Sequence, residues 1–570
     1  MNKNKYLLLS SSLGVFALLV IAAVQEHFLK EWQKIQGRAR TEQGGIPVRL
    51  RQVVNPALRV TDRCVSCHVT MAPGEQNVTG LPVLVSHKPV VHEPAEFGCT
   101  LCHGGQGEAT EKEDAHGQAP FWPLPMLPAR FSQAGCGGCH APLGVPTGRV
   151  LAEAQLTFER LDCLACHRCD ERGGTLRPGN LGMEGPDLSR VGLTGYDPDW
   201  YAKHLKKARD ARDGPWKISF EEIAEPDLEL LRIFLATRVG APRLVQAKAA
   251  FHSAGCLGCH QVSGVGGDEG PDLTQAGLKD PGRLDYSVVP GEPTLANWLA
   301  EHFRSPASLV AGSQMPAAGL PERSIELLTL YTLSLRRRDL PGSYLPRERV
   351  QAERFGAREF ATDGETIFAA FCSGCHGSRG QGLRSPGMPA FPAGANPDLL
   401  ALASDEFLLE TVRRGRPGRR MPAWGEKPNG LRDGEIRAVV AYLRKLGGVQ
   451  YQPDGKPARW VRGDPQHGRR VYASACAGCH GPKGEGGEGP ALNNPVLLAG
   501  ATDSFMVETI SRGRRGTSME GFLQATPARP ALSPSEIQAV VAFLRTWEKT
   551  TRVSSYRPGS QSQSRERGSL

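Results

Sequence analysis

The chain opens with one apolar stretch and then alternates short amphipathic segments with long polar loops. After two lysines, an uncharged run of nineteen residues extends from Tyr6 to Val24, which is long enough to cross a bilayer as a helix. Near the other end, residues 434–446 and 534–547 place apolar side chains at the helical period of 3.6. The pattern predicts a mainly α-helical chain with an N-terminal transmembrane helix.

The apolar run is more typical of an uncleaved anchor than of a cleaved signal peptide. A signal peptide has a shorter apolar region and a small-residue cleavage site, and the nearest candidate here is the poor Ile21-Ala22-Ala23. We expect a single-pass anchor over residues 1–25, followed by an amphipathic helix and linker over residues 26–55. Basic residues follow the span as well, so charge alone does not orient it.

Beyond the linker, the pattern Cys-x-x-Cys-His occurs seven times. Each copy puts two thiols at i and i+3, on one face of a helical turn, directly before an imidazole. This is the attachment pattern of c-type haem, in which the histidine is the proximal iron ligand. Zinc knuckles, thioredoxin-like pairs and disulfide frameworks do not require a histidine after each pair.

We therefore expect seven covalently bound haem c groups. The attachment thiols are Cys64, Cys67, Cys99, Cys102, Cys136, Cys139, Cys163, Cys166, Cys256, Cys259, Cys372, Cys375, Cys476 and Cys479. The proximal histidines are His68, His103, His140, His167, His260, His376 and His480. The fifteenth cysteine, Cys169, is expected to be a free buried thiol, with a role beside the fourth haem as the alternative.

Composition agrees with this reading. The chain has 67 glycines and 44 prolines but only 6% aromatic residues, which favours small, loop-rich domains that need a cofactor as a nucleus. The net charge of +9 is dispersed rather than arranged in a stripe with aromatic residues, so nucleic-acid binding is not expected.

The spacing of the attachment cysteines predicts two kinds of organisation. The first three copies start 35 and 37 residues apart, too close for separate domains, whereas the last four are separated by 93, 116 and 104 residues. We expect a triple-haem segment (56–147), four small helical domains for haems 4 to 7 (148–240, 241–345, 355–448 and 460–549) and a disordered tail (550–570).

The last four copies share a repeat in which a helix leads into the motif, a Pro-containing loop follows and an amphipathic helix ends the unit. The loops are aligned as Gly185-Pro186, Gly270-Pro271, Asn396-Pro397 and Gly489-Pro490. Residues 150–550 resemble tandem class I cytochrome c domains. The resemblance implies a distal methionine in a loop before the last helix, which Met315, Met421 and Met519 match at 55, 45 and 39 residues after the proximal histidine.

The fourth unit has no Met-Pro pair at the corresponding place. His204 aligns with His302, and Lys217 then takes the position of Met315. The sixth ligand of this haem is left open between Lys217, His204, Met183 and a vacant site.

The triple-haem segment contains three histidines outside its motifs: His87, His92 and His116. Three irons and three spare imidazoles indicate bis-histidine ligation, although the pairing cannot be read from the sequence. Met71 and Met126 are the methionine alternatives. We treat His27, His252 and His467 as non-ligands.

The runs Asp62-Arg63-Cys64 and Phe97-Gly98-Cys99-Thr100, with the residues that follow, resemble the membrane-anchored multihaem cytochromes that accompany cytochrome b in quinol-oxidising complexes. The resemblance covers residues 26–145. It implies single-pass anchoring in the cytoplasmic membrane, haem domains in the periplasm and a quinol-oxidising cytochrome b partner.

Ligand type suggests a direction of electron flow. Methionine ligation raises the haem potential relative to bis-histidine ligation, so electrons should pass from the membrane end to a soluble cytochrome, oxidase or reductase. We expect an electron-transfer protein rather than an enzyme. The alternative is an oxidoreductase with small-molecule chemistry at an open fourth haem.

Overall fold

The computed structural model describes residues 2–551 except 73, 75–76, 86, 88–91, 120–121, 175–184, 195–199, 201–222, 384–390, 426–429 and 528. Over this part of the chain, helices dominate and the named strands form four two-stranded antiparallel hairpins. The mainly α-helical class is confirmed. The chain divides into two compact units, one comprising Met1–Ser253 with Asp272–Ala361 and the other Ala254–Pro271 with Thr362–Leu570.

The first unit begins with the apolar helix Asn2–Phe28, which extends three residues beyond the predicted anchor. It is long and apolar enough to cross a membrane, a test that a signal sequence would also pass. Its side chains are exposed along its described length. A second, amphipathic helix follows at Glu31–Arg38, as the polar pattern predicts.

The triple-haem segment is built from short elements around small apolar clusters. One cluster contains Val53, Val65 and Ala72, and Met71 packs against it. Two hairpins precede or enter this segment: Arg40–Thr41 pairs with Gly44–Gly45 in the preceding linker, and Val53–Asn55 pairs with Val60–Asp62 where the segment begins. The α- and 3₁₀-helices are Cys64–Ser66, Val69–Met71, Pro94–Phe97, Thr100–His103, Lys112–Ala115 and Ala129–Gly138.

Two longer helix pairs follow in the same unit. Gly148–Arg160 packs against Glu225–Ala236, with the rings of Phe158 and Phe234 stacked 4.4 Å apart. Pro242–Ser253 packs against Glu322–Ser334. The remaining elements are the hairpin Arg168–Cys169 with Arg172–Gly173, the 3₁₀-helices Cys163–Ala165, Val191–Leu193, Ala276–Leu278, Pro281–Arg283 and Gly342–Tyr344, and the α-helices Leu295–Arg304, Pro306–Leu309 and Arg347–Phe355.

A buried ion cluster fastens the chain after the third motif. Lys248, whose side chain is 2% exposed, donates to Glu359 at 2.7 Å and to the carbonyl of Pro142 at 2.9 Å. Arg337 also donates to Glu359, at 2.7 Å. Burial disfavours the ionised Glu359, but the two cations hold its pKa at about 2, well below its usual 4.5.

The second unit contains two further pairs in which the helix before a motif crosses the last helix of its domain. Gly364–Ile367, continued by the π-helix Phe368–Cys372, packs against Asp433–Gly447, and Pro465–Ala475 packs against Pro534–Thr551. The other elements are the hairpin Gln261–Val262 with Val265–Gly266, the 3₁₀-helix Cys256–Gly258 and the helices Ser373–His376, Pro397–Leu402, Asp405–Arg414, Ala477–His480, Pro495–Gly500 and Asp503–Arg512.

A glycine allows the close crossing in both domains, eight residues before the first cysteine of the motif. A Cβ on Gly364 would lie 2.1 Å from the carbonyl oxygen of Ala438, and one on Gly468 would lie 1.9 Å from that of Ala539. These separations are far inside van der Waals contact, so the two backbones must meet without a side chain between them.

We expect Gly468→Ala to destabilise the last domain by roughly 2–3 kcal/mol, because the added methyl must push the final helix away. Chemical denaturation followed at the last domain measures this change. Gly434→Ala is the matched control, since nothing lies within 4 Å of its Cβ position. Equal stability of the two variants would contradict the crossing.

Candidate functional site

Four of the seven motif histidines share one hydrogen bond. The Nδ1 atoms of His167, His260, His376 and His480 contact the carbonyl oxygens of Pro186, Pro271, Pro392 and Pro490 at 2.8–2.9 Å. A ligand histidine normally donates its second ring nitrogen in this way, which fixes the tautomer and leaves Nε2 for the metal. The sequence marks these prolines only as loop residues.

The glycine before three of these prolines has a steric role. A Cβ on Gly185, Gly270 or Gly489 would lie 2.5–2.8 Å from the motif imidazole. In the sixth domain, however, the aligned loop Asn396-Pro397 is incorrect, because Pro392 supplies the carbonyl. Asn396 instead caps the next helix, as Asn494 does in the seventh domain. The sequence alignment of the four loops missed Pro392 because the residue before it is Phe391, whereas the equivalent proline follows a glycine in the other three units.

The structure pairs His92 with the third motif. Its Nε2 lies 3.4 Å from Nε2 of His140, and the two ring planes are inclined by 28° with their centroids 5.7 Å apart. Burial, followed by the charges of His140 and Arg190, lowers the pKa of His92 and keeps the ring in the neutral form that binds metals. On its far side, Nδ1 of His140 contacts the carboxylate of Glu348.

The other two spare histidines approach the other two motifs. The ring of His87 lies 6.0 Å from that of His103. Burial and then the charge of His116 lower the pKa of His68, which places His116 near the first motif. The described geometry sets His92 beside His140 and His87 beside His103, and the charge of His116 acts on His68.

These distances fit a haem iron between two imidazoles. If two imidazole nitrogens held one metal ion between them, each about 2 Å from it, they would lie about 4 Å apart and their ring centroids about 6 Å apart. The observed separations of 3.4 Å for the nitrogens and of 5.7 and 6.0 Å for the centroids are close to those values. The methionine alternatives are placed differently: Met71 packs in an apolar cluster, and Met126 is 41% exposed.

The first two motifs lie close to each other. The thiol of Cys99 lowers the pKa of Cys64. Asp62, only 1% exposed, accepts hydrogen bonds from the backbone of Cys99 at 2.5 Å and of Thr100 at 2.8 Å. The carboxylate therefore fastens the start of the second motif to the strand that leads into the first.

Glycines bring other motifs equally close. A Cβ on Gly135, directly before the third motif, would lie 2.0 Å from the carbonyl oxygen of Cys102. In the second unit, the thiol of Cys375 lowers the pKa of Cys259, and a Cβ on Gly374 would lie 2.7 Å from the carbonyl oxygen of Gly255. The second and third motifs, and the fifth and sixth, are thus packed backbone against backbone.

The methionine loops of the last two domains are duplicates. In each loop an arginine amide donates to the methionine carbonyl five residues later, Arg416 to Met421 at 2.9 Å and Arg514 to Met519 at 2.6 Å. Both methionines are half-buried. Met315, also half-buried, follows a different turn in which its amide contacts Ser313 Oγ at 3.3 Å.

The same two arginines carry buried nitrogens that lack a hydrogen-bond partner in the described part of the chain, Nη1 of Arg416 and Nε of Arg514. Burial lowers both pKa values to about 10. Each guanidinium lies 5.6 Å from a phenylalanine ring, Phe407 or Phe505. A buried cation with an open donor suits a carboxylate, and haem carries two propionates, so the donor set fits the expected cofactor.

The sixth and seventh domains contact each other reciprocally within the second unit. Asn396 donates to the carbonyl of Arg515 at 2.9 Å, and Asn494 donates to that of Pro417 at 3.1 Å. The rings of Phe407 and Phe505 meet between them, 5.1 Å apart. The contact joins the methionine loop of each domain to a helix cap of the other.

The candidates for the sixth ligand of the fourth haem, Met183, His204 and Lys217, lie outside the described residues. Cys169 is confirmed as a buried thiol: it is 2% exposed within an apolar cluster that includes Phe158 and Phe234, and burial raises its pKa to about 11. His252 is also buried, and it contacts the carbonyl of Val145 at 3.1 Å. Burial lowers the pKa of His252 to about 3, which suits a neutral core residue.

Comparison with known proteins identifies the C-terminal region. Residues 359–443 match the family "cytochrome C oxidase, cbb3-type, subunit III", and residues 465–548 match the family "cytochrome c". A cbb3-type cytochrome c oxidase subunit FixP from Bradyrhizobium diazoefficiens is 30% identical over 194 residues, covering 32% of this chain and 59% of its own length. The CcoP subunit from Rhodobacter capsulatus is 28% identical over 195 residues, with 32% and 61% covered.

The chain therefore spans about three fifths of the length of these relatives. A solved chain of the Kuenenia stuttgartiensis reducing HAO-like protein complex is 17% identical and aligns over 32% of this chain and 94% of its own, with a TM-score of 0.23. That score does not establish a common fold. The two family matches do establish cytochrome c domains, which hold haem c covalently, and the chain is accordingly a multihaem c-type cytochrome related in its C-terminal region to the FixP and CcoP subunits.

Proposed function

We propose that the chain is a membrane-anchored electron relay that holds seven covalently attached haems and passes electrons along them in chain order. Each iron supplies a one-electron redox centre when haem is bound, and the protein's role is to position, shield and tune these centres. The seven sets of attachment thiols and motif histidines named above would hold the groups.

One observation carries this proposal: several neighbouring motifs lie close together, as the approach of Gly135 to Cys102 and that of Gly374 to Gly255 show. Because covalent attachment joins each haem to its own motif, haems at these neighbouring motifs would also lie close together. An enzyme with one reactive centre does not need several attachment motifs in contact. An electron relay does, because transfer requires short separations.

The ligands divide the relay into two classes. We infer bis-histidine ligation for the first three haems, from the pairs formed by His116, His87 and His92. We infer methionine ligation for the last three haems, by Met315, Met421 and Met519. Thioether ligation raises the potential, so electrons would pass from the N-terminal segment to the C-terminal domains.

The reciprocal contact of the last two domains supports the final step. Arg416 and Arg514 would each hold a propionate beside the Phe407 and Phe505 rings, which meet at the domain contact. Both haems would then be held next to the shared boundary. The two domains match the families "cytochrome C oxidase, cbb3-type, subunit III" and "cytochrome c" over residues 359–443 and 465–548.

We propose that the helix Asn2–Phe28 anchors the relay in the cytoplasmic membrane with the haem domains in the periplasm. The donor would be a quinol-oxidising cytochrome b subunit, and the acceptor a soluble cytochrome, oxidase or reductase. The apolar helix and the resemblance of residues 26–145 support this placement. Copurification with a b-type haem subunit from membranes would test the donor.

Intact mass and a spectroscopic redox titration of the purified chain test the relay itself. We expect seven haems, with the methionine-ligated group titrating at higher potential than the bis-histidine group. Fewer than seven attached haems, or methionine-ligated haems that titrate no higher than the others, would refute the proposal.

We expect Met421→Ala to remove about one third of the near-infrared absorption of methionine-ligated iron and to lower the potential of one haem, because the thioether is lost. Met126→Ala is the control, since Met126 is exposed and lies outside the methionine loops. An unchanged near-infrared spectrum in Met421→Ala would remove Met421 from the ligand set.

A further inference from the structure

The third motif differs from four others in what its histidine contacts. His167, His260, His376 and His480 each face a neutral proline carbonyl. His140 faces the carboxylate of Glu348, 208 positions further along the chain. The side chains of His140 and Glu348 are 28% and 19% exposed, so the pair is largely shielded from water.

The local geometry aims the carboxylate at the ring nitrogen that points away from the metal position. Nε2 of His140 faces Nε2 of His92, whereas Nδ1 faces Glu348. Glu348 lies in the first turn of the helix Arg347–Phe355, where the N-terminal end of the helix dipole also favours a negative charge. The carboxylate is therefore held in place by its own helix as well as by the imidazole.

Other charges surround this pair: the charge of Arg349 also acts on Glu348, and that of Arg190 acts on His92. Arg349 donates to Glu353 at 2.8 Å and to the carbonyl of Arg338 at 2.8 Å. The charges of Arg338 and Arg349 act on the thiol of Cys139, on the attachment side of the motif. Among the described residues, Glu348 is the acidic side chain that contacts the imidazole of His140 directly.

We propose that Glu348 is a positioning residue that lowers the potential of the third haem below those of the other two bis-histidine haems. When a carboxylate accepts the hydrogen bond from Nδ1–H, the imidazole becomes a more basic ligand than when a carbonyl oxygen accepts that bond. A more basic ligand and a nearby negative charge both favour ferric over ferrous iron. The third site would thus be the most strongly reducing point of the N-terminal segment.

This inference rests on the proposed relay, and specifically on the His92–His140 pair. Its test is a redox titration of Glu348→Gln in the full-length chain, with the third haem identified as the one whose low-spin signal disappears in His92→Ala. Glutamine keeps the shape and the acceptor oxygen but removes the charge, so the third site then resembles the four carbonyl sites. We expect its potential to shift upward while the other six stay where they are.

Glu353→Gln is the matched control, because it removes the same charge from the same helix where Glu353 bonds to Arg349. No shift in Glu348→Gln, or an equal shift in Glu353→Gln, would overturn the tuning role. Loss of the low-spin signal in Glu348→Gln would also overturn it, since the carboxylate would then only hold the ring in position. If His92→Ala alters the spectrum of none of the haems, the result refutes the proposed ligation by His92 and His140 rather than the role of Glu348.

Discussion

Replacing His92 with alanine is expected to convert one haem, the third, from low-spin to high-spin and to let it bind carbon monoxide. The reason is the direct approach of Nε2 of His92 to Nε2 of His140, at 3.4 Å, on the side of the ring opposite Glu348. A truncated side chain cannot reach the iron, so the sixth position opens. Electron paramagnetic resonance and carbon monoxide difference spectra of the ferrous protein measure the change.

The effect should be confined to one haem. His467→Ala is the control, because His467 lies at the exposed start of the helix Pro465–Ala475 and was not expected to be a ligand. A second variant, His92→Met, should keep six ligands but raise the potential of the same haem. A His92→Ala protein with an unaltered number of low-spin haems would show that another group serves the third iron.

The second large effect is expected in stability. We expect Lys248→Met to destabilise the first unit by about 3 kcal/mol, because it breaks a buried ion pair. This value is at the low end of the usual range, since Arg337 still pairs with Glu359 in the variant. Lys248 is nearly inaccessible and also holds the carbonyl of Pro142, two residues after His140. The loss should therefore loosen the third motif as well as the helix Pro242–Ser253.

Urea denaturation followed at pH 7 measures this loss, and Lys279→Met is the control because Lys279 is exposed.

The stability of the same ion cluster should also depend on pH in the acid range. The pKa of Glu359 is about 2 when folded and near 4.5 when unfolded, so its stabilisation is complete above pH 4.5 and is lost as the pH falls towards 2. Glu359→Gln should flatten the stability profile in that window, and an unaltered profile would contradict the assignment.

The attachment chemistry could be predicted from the sequence because it is local. Each Cys-x-x-Cys-His copy carries both thiols and the proximal histidine within five residues, so no fold is needed to recognise it. The final helices were predictable for the same reason: apolar side chains repeat along residues 434–446 and 534–547, and the observed helices are Asp433–Gly447 and Pro534–Thr551.

The partners of the histidines were not predictable, because they come from distant parts of the chain. Glu348 meets His140 across 208 positions and carries no sequence signal that separates it from other surface glutamates. In the sequence, Arg416 and Arg514 are two of several arginines that precede Met421 and Met519, and nothing there distinguishes them from their neighbours. The structure shows that the two arginines are equivalent, because each donates its backbone amide to the carbonyl of a methionine five residues later. Only the packed structure shows that each has a buried side-chain nitrogen without a partner among the described residues.

The sequence by itself determined the kind of cofactor and the helical class of the chain and predicted the places of attachment, since each depends on residues that are close together along it. The tertiary structure decided which spare histidines lie beside which motifs and which motifs lie close together. It also decided that, of the five motif histidines whose Nδ1 contacts are described above, His140 faces a carboxylate and the other four face carbonyls. These features depend on chain segments brought together by glycine contacts such as Gly135 and Gly374, where the absence of one carbon atom sets the distance between motifs.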